Sequence, residues 1–274
     1  MKTHLILAFL GATCMAPASI LMIDFGPTAA TGGNLTNSPY HVLNPGFAES
    51  SWNQVQTTDV ASGLVMSDGS VTGIGVNLGV ANEGGVGGTL VDLGVTPTGN
   101  SALGTVVNTG IYATTSVATD GIFSATGTAV RHIGVQITGL AAGVYEVFVA
   151  TRNTNTSAAY TMTTYAGAGT AGSNFNFITD PGYVSGALSH AGGNVAGTPT
   201  VASWNVEGTT GENYNRLTVT IAAGQALNIA VQGDGTQTRG FLNMVQIVAV
   251  PEPSLAIMAL GSLLPLFCRR RRTV

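Results

Sequence analysis

The sequence predicts an all-β fold, one β-sandwich over residues 19–249, and three observations predict it. Thirty-eight glycines and only 8% charged residues, with abundant Thr, Ser, Asn and Val, are poor material for helices, whereas β-branched side chains suit a pleated surface. Several segments alternate apolar and polar residues with a period of two, the mark of a strand with one buried face. Short Gly-containing connections separate them. The chain of 274 residues is long enough for one large all-β unit with a well-buried core.

Residues 1–18 come first. Lys2 is followed by the apolar stretch Leu5 to Ala12 and then by Ala16-Pro17-Ala18, a small-x-small cleavage site, so this segment is expected to be a secretory signal peptide removed by signal peptidase. Its apolar core is much shorter than the ~20 residues of a spanning helix. A lipoprotein reading fails because Leu10 stands one position too far from Cys14. The other cysteine, Cys268, also lies in an apolar terminal segment. The domain therefore has no disulfide framework and no thiol for zinc or nucleophilic attack.

The expected first strand is Ile20 to Phe25. Asn82 to Gly110 is Gly-rich and is expected to form long loops around Leu90, Val91 and Leu93. In 131–138, Ile133, Val135 and Ile137 face one way while His132, Gln136 and Thr138 face the other. In 216–221, Leu217, Val219 and Ile221 alternate with Arg216, Thr218 and Thr220, and Leu227, Ile229 and Val231 continue the pattern. Both are read as half-buried strands. Val135 to Val149 and Leu217 to Val231 share a layout of strand, Ala-Ala-Gly, strand, and each is a candidate hairpin in which Gly143 or Gly224 supplies a positive φ. Ala166 to Pro199 reads as irregular around the turn Asp180-Pro181-Gly182. The last strand is expected over Gly240 to Val250, so the first and last strands are expected to lie close together.

Val250-Pro251-Glu252-Pro253-Ser254 then precedes the apolar stretch Leu255 to Phe267, which runs into Cys268 and Arg269-Arg270-Arg271-Arg272. This order over about the last 25 residues resembles the PEP-CTERM sorting tail of Gram-negative bacteria. The two prolines keep the segment extended, suited to a protease cleft. The apolar stretch is read as a short, transient transmembrane helix, and the arginines hold its end on the cytoplasmic side because charge crosses hydrocarbon at high cost. The resemblance implies an exosortase that removes the tail and passes the protein toward the cell surface or the extracellular matrix. Residues 250–274 are then the sorting tail, with Pro251, Glu252, Pro253, Arg269, Arg270, Arg271 and Arg272 as its motif.

The stretch Ile137 to Val147, together with Gly240 to Ile247, resembles the galactose-binding-like or malectin-like jelly rolls. The resemblance implies a jelly-roll-like sandwich and carbohydrate binding, although none of that family's sugar-contacting residues has a matching motif here.

Residues 19–250 carry four arginines against twelve acidic side chains, a net charge of −8, which excludes phosphate-backbone binding by attraction, and no nucleic-acid partner is expected. Asp24, Glu49, Asp59, Asp68, Glu146 and Glu207 form no motif that would pair two of them on one bond. His41, His132 and His190 lie far apart, without a Gly-x-Ser-x-Gly elbow, and are read as plain surface residues. No cofactor is expected; Asp68-Gly69-Ser70 and Asp234-Gly235-Thr236 are loops that a structural calcium could use, but Asp-Gly is chiefly turn chemistry. Trp52, Trp204 and Tyr214, with Tyr40, are the aromatics that could stack on a sugar ring. The expectation is thus a non-catalytic exported protein of the cell surface or matrix that meets exopolysaccharide. The alternative is a secreted polysaccharide-active enzyme, a glycoside hydrolase or lyase, whose carboxylates converge only in the fold.

Overall fold

The computed structural model describes residues 19–29, 37–46, 51–81, 88–97, 99–101, 110–113, 116–124, 132–153, 158–190, 203–235 and 239–251. The expected signal peptide, the apolar stretch 255–267, Glu49, Glu252, Pro253 and Arg269 to Arg272 lie outside them. Among the described residues, no helix is long and apolar enough to cross a membrane.

The elements in chain order are β1 (Ile20–Phe25), helix α1 (Pro39–Leu43), β2 (Asn53–Val55), β3 (Gly75–Ala81), β4 (Leu90–Asp92), β5 (Gly99–Ser101), a 3₁₀ turn (Gly110–Tyr112) and β6 (Gly121–Phe123). There follow β7 (His132–Thr138), β8 (Gly143–Ala150), β9 (Tyr160–Thr170), β10 (Phe175–Asn176), β11 (Val184–His190), β12 (Asn215–Ile221), β13 (Gln225–Gly233), β14 (Phe241–Leu242) and β15 (Met244–Ala249). They form a five-stranded sheet ordered β12-β8-β15-β1-β2, a seven-stranded sheet ordered β10-β4-β3-β7-β13-β9-β11, and a small sheet ordered β14-β6-β5. The main core lies between the two large sheets. Leu21, Ile23, Val147, Val149, Leu217, Val219, Val245 and Ile247 from one meet Val76, Leu78, Ile133, Val135, Ile137, Leu227, Ile229 and Val231 from the other. The protein is an all-β sandwich.

The expected closeness of the ends holds, since β1 pairs antiparallel with β15 from Ile20↔Val248 to Asp24↔Met244. Strand β12 keeps strict alternation, with Leu217, Val219 and Ile221 buried and Arg216, Thr218 and Thr220 exposed. Strand β7 departs from the expected half-burial, because its polar face is covered as well. His132 Nε2 lies 2.7 Å from the Leu90 carbonyl, and Gln136 Nε2 donates to Asn228 Oδ1 at 2.8 Å and to the Thr170 carbonyl at 3.2 Å. The region 166–199, expected to be irregular, contains the end of β9, then β10 and β11. Asp180-Pro181-Gly182 turns between the last two, with Gly182 at φ 84°.

Neither predicted hairpin forms. Strand β7 lies in the seven-stranded sheet and β8 in the five-stranded one, and β12 to β13 makes the reverse crossing. Each Ala-Ala-Gly connection therefore arches from one layer to the other instead of reversing the chain within a sheet. Gly224 and Gly143 take positive φ as expected, 80° and 159°, and the first arch adds Gly139 at φ 82°. The two arches lie on each other: β7 pairs with β13 (Val135↔Ile229) and β8 with β12 (Val147↔Leu217), all antiparallel. They make one folded two-stranded ribbon that contributes to both layers.

The last strand is split at Asn243, so that β14 joins the small sheet and β15 the five-stranded one. The Asn243 side chain is fully buried. Its Oδ1 accepts from the Arg152 amide, and its Nδ2 donates to the carbonyls of Asp120 at 2.6 Å and Arg152 at 3.1 Å. Just before the split, a Cβ on Gly240 would stand 2.1 Å from the Val231 carbonyl oxygen and 2.6 Å from the Ile133 nitrogen. Asn243→Ala should cost at least about 2 kcal/mol in urea unfolding by orphaning three buried backbone groups. Gly240→Ala should cost about 1–3 kcal/mol through overpacking, whereas Gly46→Ala, with nothing within 4 Å of the new Cβ, should be silent.

Candidate functional site

The outer face of the five-stranded sheet is as apolar as its inner face. Ile20 and Met22 of β1, Phe148 and Ala150 of β8, and Met244 and Val248 of β15 point away from the main core. They require a cover, and Ile111, Tyr112, Val117, Ala118, Trp204 and Tyr214 supply it, with Tyr40 and Trp52 at the rim. The four aromatics singled out from the sequence thus converge, but as packing. Tyr214 lies 6.0 Å from the Phe148 ring and Trp204 stands edge-on to Tyr214 at 6.3 Å. Trp204 Nε1 donates to Asn37 Oδ1 at 3.0 Å. Trp204 and Tyr214 are each only 3% exposed, so neither presents a face on which a sugar could stack. Trp52 is half-buried and keeps part of its surface in solvent.

Beside this cover, where β15 ends, the surface opens into a groove of about 440 Å³. Tyr40, Leu43 and Asn44 form one wall, from α1 and its C-cap; Glu146 of β8 and Arg216 of β12 form another, and Val248 to Pro251 run along it. Helix α1 is short but well defined, since Ser38 caps it by accepting from the His41 amide at 3.2 Å and Pro39 opens it. The Tyr40 amide donates to Gln246 Oε1 at 3.1 Å, which ties the helix to β15. Beyond β15 the Val250 amide donates to the Val144 carbonyl at 2.8 Å. Pro251 is exposed.

Two of the candidate carboxylates meet at one residue, Glu146 on the Arg216 guanidinium and Glu207 on the Arg216 backbone amide. Arg216 Nη2 reaches Glu146 Oε1 at 2.5 Å, and the Arg216 amide donates to Glu207 Oε2 at 2.8 Å. The guanidinium lies 5.6 Å from the Phe148 ring centre. This is a charge-compensated surface pair, not two carboxyl groups set across a bond to be broken. Asp59 is engaged elsewhere, accepting from the Leu78 amide at 2.8 Å, and Asp24 is buried in β1.

The histidines expected at the surface are not all there. His132 and His190 are buried, because each lies under a neighbouring segment. His190 Nε2 is 2.8 Å from the Thr151 carbonyl, and its ring is 4.8 Å from that of Tyr160. Burial, reinforced by the Arg152 charge, holds His190 at about 3, well below its ordinary 6.5. Arg152 itself is 8% exposed and lies 5.2 Å from the Tyr112 ring centre. Asp120, whose backbone carbonyl shares the Asn243 amide with that of Arg152, is fully buried, and burial raises its carboxyl to about 6 against 3.8, although Oδ2 accepts from the Thr28 amide at 2.6 Å. This polar layer was not legible as a site. Its residues share no spacing along the chain.

The calcium loops show turn chemistry. Asp68 Oδ1 accepts from the Ser70 amide at 2.9 Å and from its hydroxyl at 2.6 Å, and Oδ2 accepts from Ser19. Those bonds hold Asp68 at about 2. Asp234 Oδ2 accepts from the Thr161 amide at 2.6 Å. Among the described residues, no three His, Cys, Asp or Glu side chains converge as metal ligands would.

No protein-family model and no curated protein matches the chain. Among solved structures it is similar to isomalto-dextranase of Arthrobacter globiformis T6 complexed with panose, at 18% identity and a TM-score of 0.25, over 47% of this chain and 18% of that one. So slight a likeness carries no argument about activity.

Two outcomes are expected. Trp204→Ala should lower stability by about 3–5 kcal/mol as a core truncation, and Trp52→Ala by about 1 kcal/mol, measured by urea unfolding. The buried acid and base should tilt stability in opposite senses with pH. Folded Asp120 keeps its proton up to about 6 and the unfolded chain only to 3.8, so its contribution falls as pH rises between those values. The unfolded chain protonates His190 below 6.5 and the folded one only near 3, so that contribution is lost as pH falls through the window. Urea midpoints at pH 4, 5, 6 and 7 should therefore diverge: relative to the native chain, Asp120→Asn gains stability as pH rises, and His190→Gln gains as pH falls.

Proposed function

We propose that the chain is an exported, non-catalytic protein, jelly-roll-like in its connections, that an exosortase sorts to the cell surface or extracellular matrix of a Gram-negative bacterium. One observation carries the reading: Pro251-Glu252-Pro253, the apolar stretch 255–267 and Arg269 to Arg272 follow in that order directly after the last strand, which ends at Ala249. The arginines resist translocation and the apolar stretch partitions into the bilayer, so the domain is delivered outside while its tail is held at the membrane. The prolines keep the intervening peptide extended and open to a protease. The folded ribbon of β7, β8, β12 and β13 supports the jelly-roll description. A non-catalytic role agrees with the engagement of both acids, Glu146 paired with the Arg216 guanidinium and Glu207 bound to the Arg216 backbone amide.

Exopolysaccharide is the proposed ligand of the exported domain, and Trp52, like Tyr40, is a predicted stacking residue that is only partly buried. Intact-mass analysis of the protein recovered outside the cell should show both ends removed, with cleavage after Ala18 and loss of Arg269 to Arg272; retention of those arginines would sink the sorting reading. Co-sedimentation with the organism's own exopolysaccharide should fall about tenfold for Trp52→Ala, the loss of one stacking contact. Unchanged binding by that variant would remove Trp52 from the role.

A further inference from the structure

The groove at the end of β15 is tied to the proline motif by chain length alone. Ala249 is the last residue in the sheet, Pro251 lines the groove, and the apolar stretch begins at Leu255. Residues 250–254 therefore bridge Ala249 to Leu255 over at most about 20 Å when extended. A domain of this size has a radius of gyration of about 17 Å, the value for a sphere of about 22 Å radius. A tether shorter than the domain's own half-width cannot let the domain turn its other faces toward whatever holds the tail. A protein that grips residues 251–253 is thereby held near the face lined by Tyr40, Leu43, Asn44 and Arg216, which Pro251 also lines.

This face has the chemistry of a protein contact. Leu43 and Val250, 45% and 38% exposed, line the groove with Asn44 and the Arg216–Glu146 pair, and Val42, next to Leu43 in α1, is 50% exposed. Anionic lipid is the poorer fit, because lipid headgroups are drawn to clusters of uncompensated basic side chains, whereas Arg216 is paired with Glu146 and the domain carries a net charge of −8. We propose that the groove is a docking surface for the membrane-embedded peptidase that cleaves the tail, so that the enzyme reads the folded domain as well as the extended peptide. This rests on the sorting reading above.

The test follows removal of the tail from the full-length protein in its own host by pulse-chase and intact mass. A Val42→Asp, Leu43→Asp double variant, altered only at exposed positions, should unfold at the native urea midpoint and lose its tail about tenfold more slowly, as expected on loss of an interface anchor. Inserting ten Gly/Ser residues between Val250 and Pro251 should also slow removal, because the local concentration of the docked face falls. Faster removal would mean that the domain only obstructs the enzyme and would overturn the proposal. Equal rates for the double variant would overturn it while leaving sorting intact, whereas a native chain that never loses its tail would overturn the sorting reading itself. A photo-crosslinking residue at position 43 should capture the peptidase, and one at Ile178, exposed beside the outer aromatic cluster of the seven-stranded sheet, should not. Capture of lipid alone, or of a second copy of the chain, at position 43 would also overturn it.

Discussion

The structure depends on a single buried amide. Asn243 interrupts the final strand at the point where the chain passes from the small sheet to the five-stranded one. Its side chain holds the backbone of Arg152, at the end of the β8 segment, against that of Asp120, which precedes β6. Its backbone completes the junction, accepting from the Phe25 amide at 2.8 Å and donating to the Ala150 carbonyl at 3.0 Å. A buried side-chain amide that is satisfied on all sides specifies one arrangement of the segments around it. Without it, those four segments would meet with unmatched polar groups inside the protein.

From that junction the two layers follow. The folded ribbon of β7, β8, β12 and β13 places consecutive strands in opposite sheets, so the alternation of each faces one shared core. The price is a second apolar surface, the outer face of β1, β8 and β15. Phe148 stands at its centre, contacted by Tyr40 and Tyr214. The loops that cover this face carry Trp204 and Tyr214 into the interior, and the gap between the cover and the end of β15 is the groove. The groove is thus a consequence of covering a sheet whose last strand must still release the tail.

Arg152 and Arg216 show how few cations are distributed in an acidic domain. Arg216, at the surface, pairs its guanidinium with Glu146 and lies over Phe148. Arg152 is buried against Tyr112, and its charge helps keep the neighbouring His190 neutral. The first organises the groove, and the second stiffens the polar layer beneath the junction made by Asn243.

Strand periodicity determined a good deal by itself. The alternating run through Ile221 was legible because an inward-facing side chain must recur every second residue, and the order of the final 25 residues is chemistry written along the chain. What periodicity could not decide was which sheet a strand joins. A hairpin and an arch produce the same alternation, so only the packed layers distinguish them, and only they show that β7 is covered on both faces. The same limit governed the aromatics: Trp204 and Tyr214 look like ligand platforms beside polar loop sequence, yet the apolar outer face of a distant strand pulls them inside. Burial is a property of what lies across the core, and that partner is supplied by tertiary structure rather than by sequence neighbours.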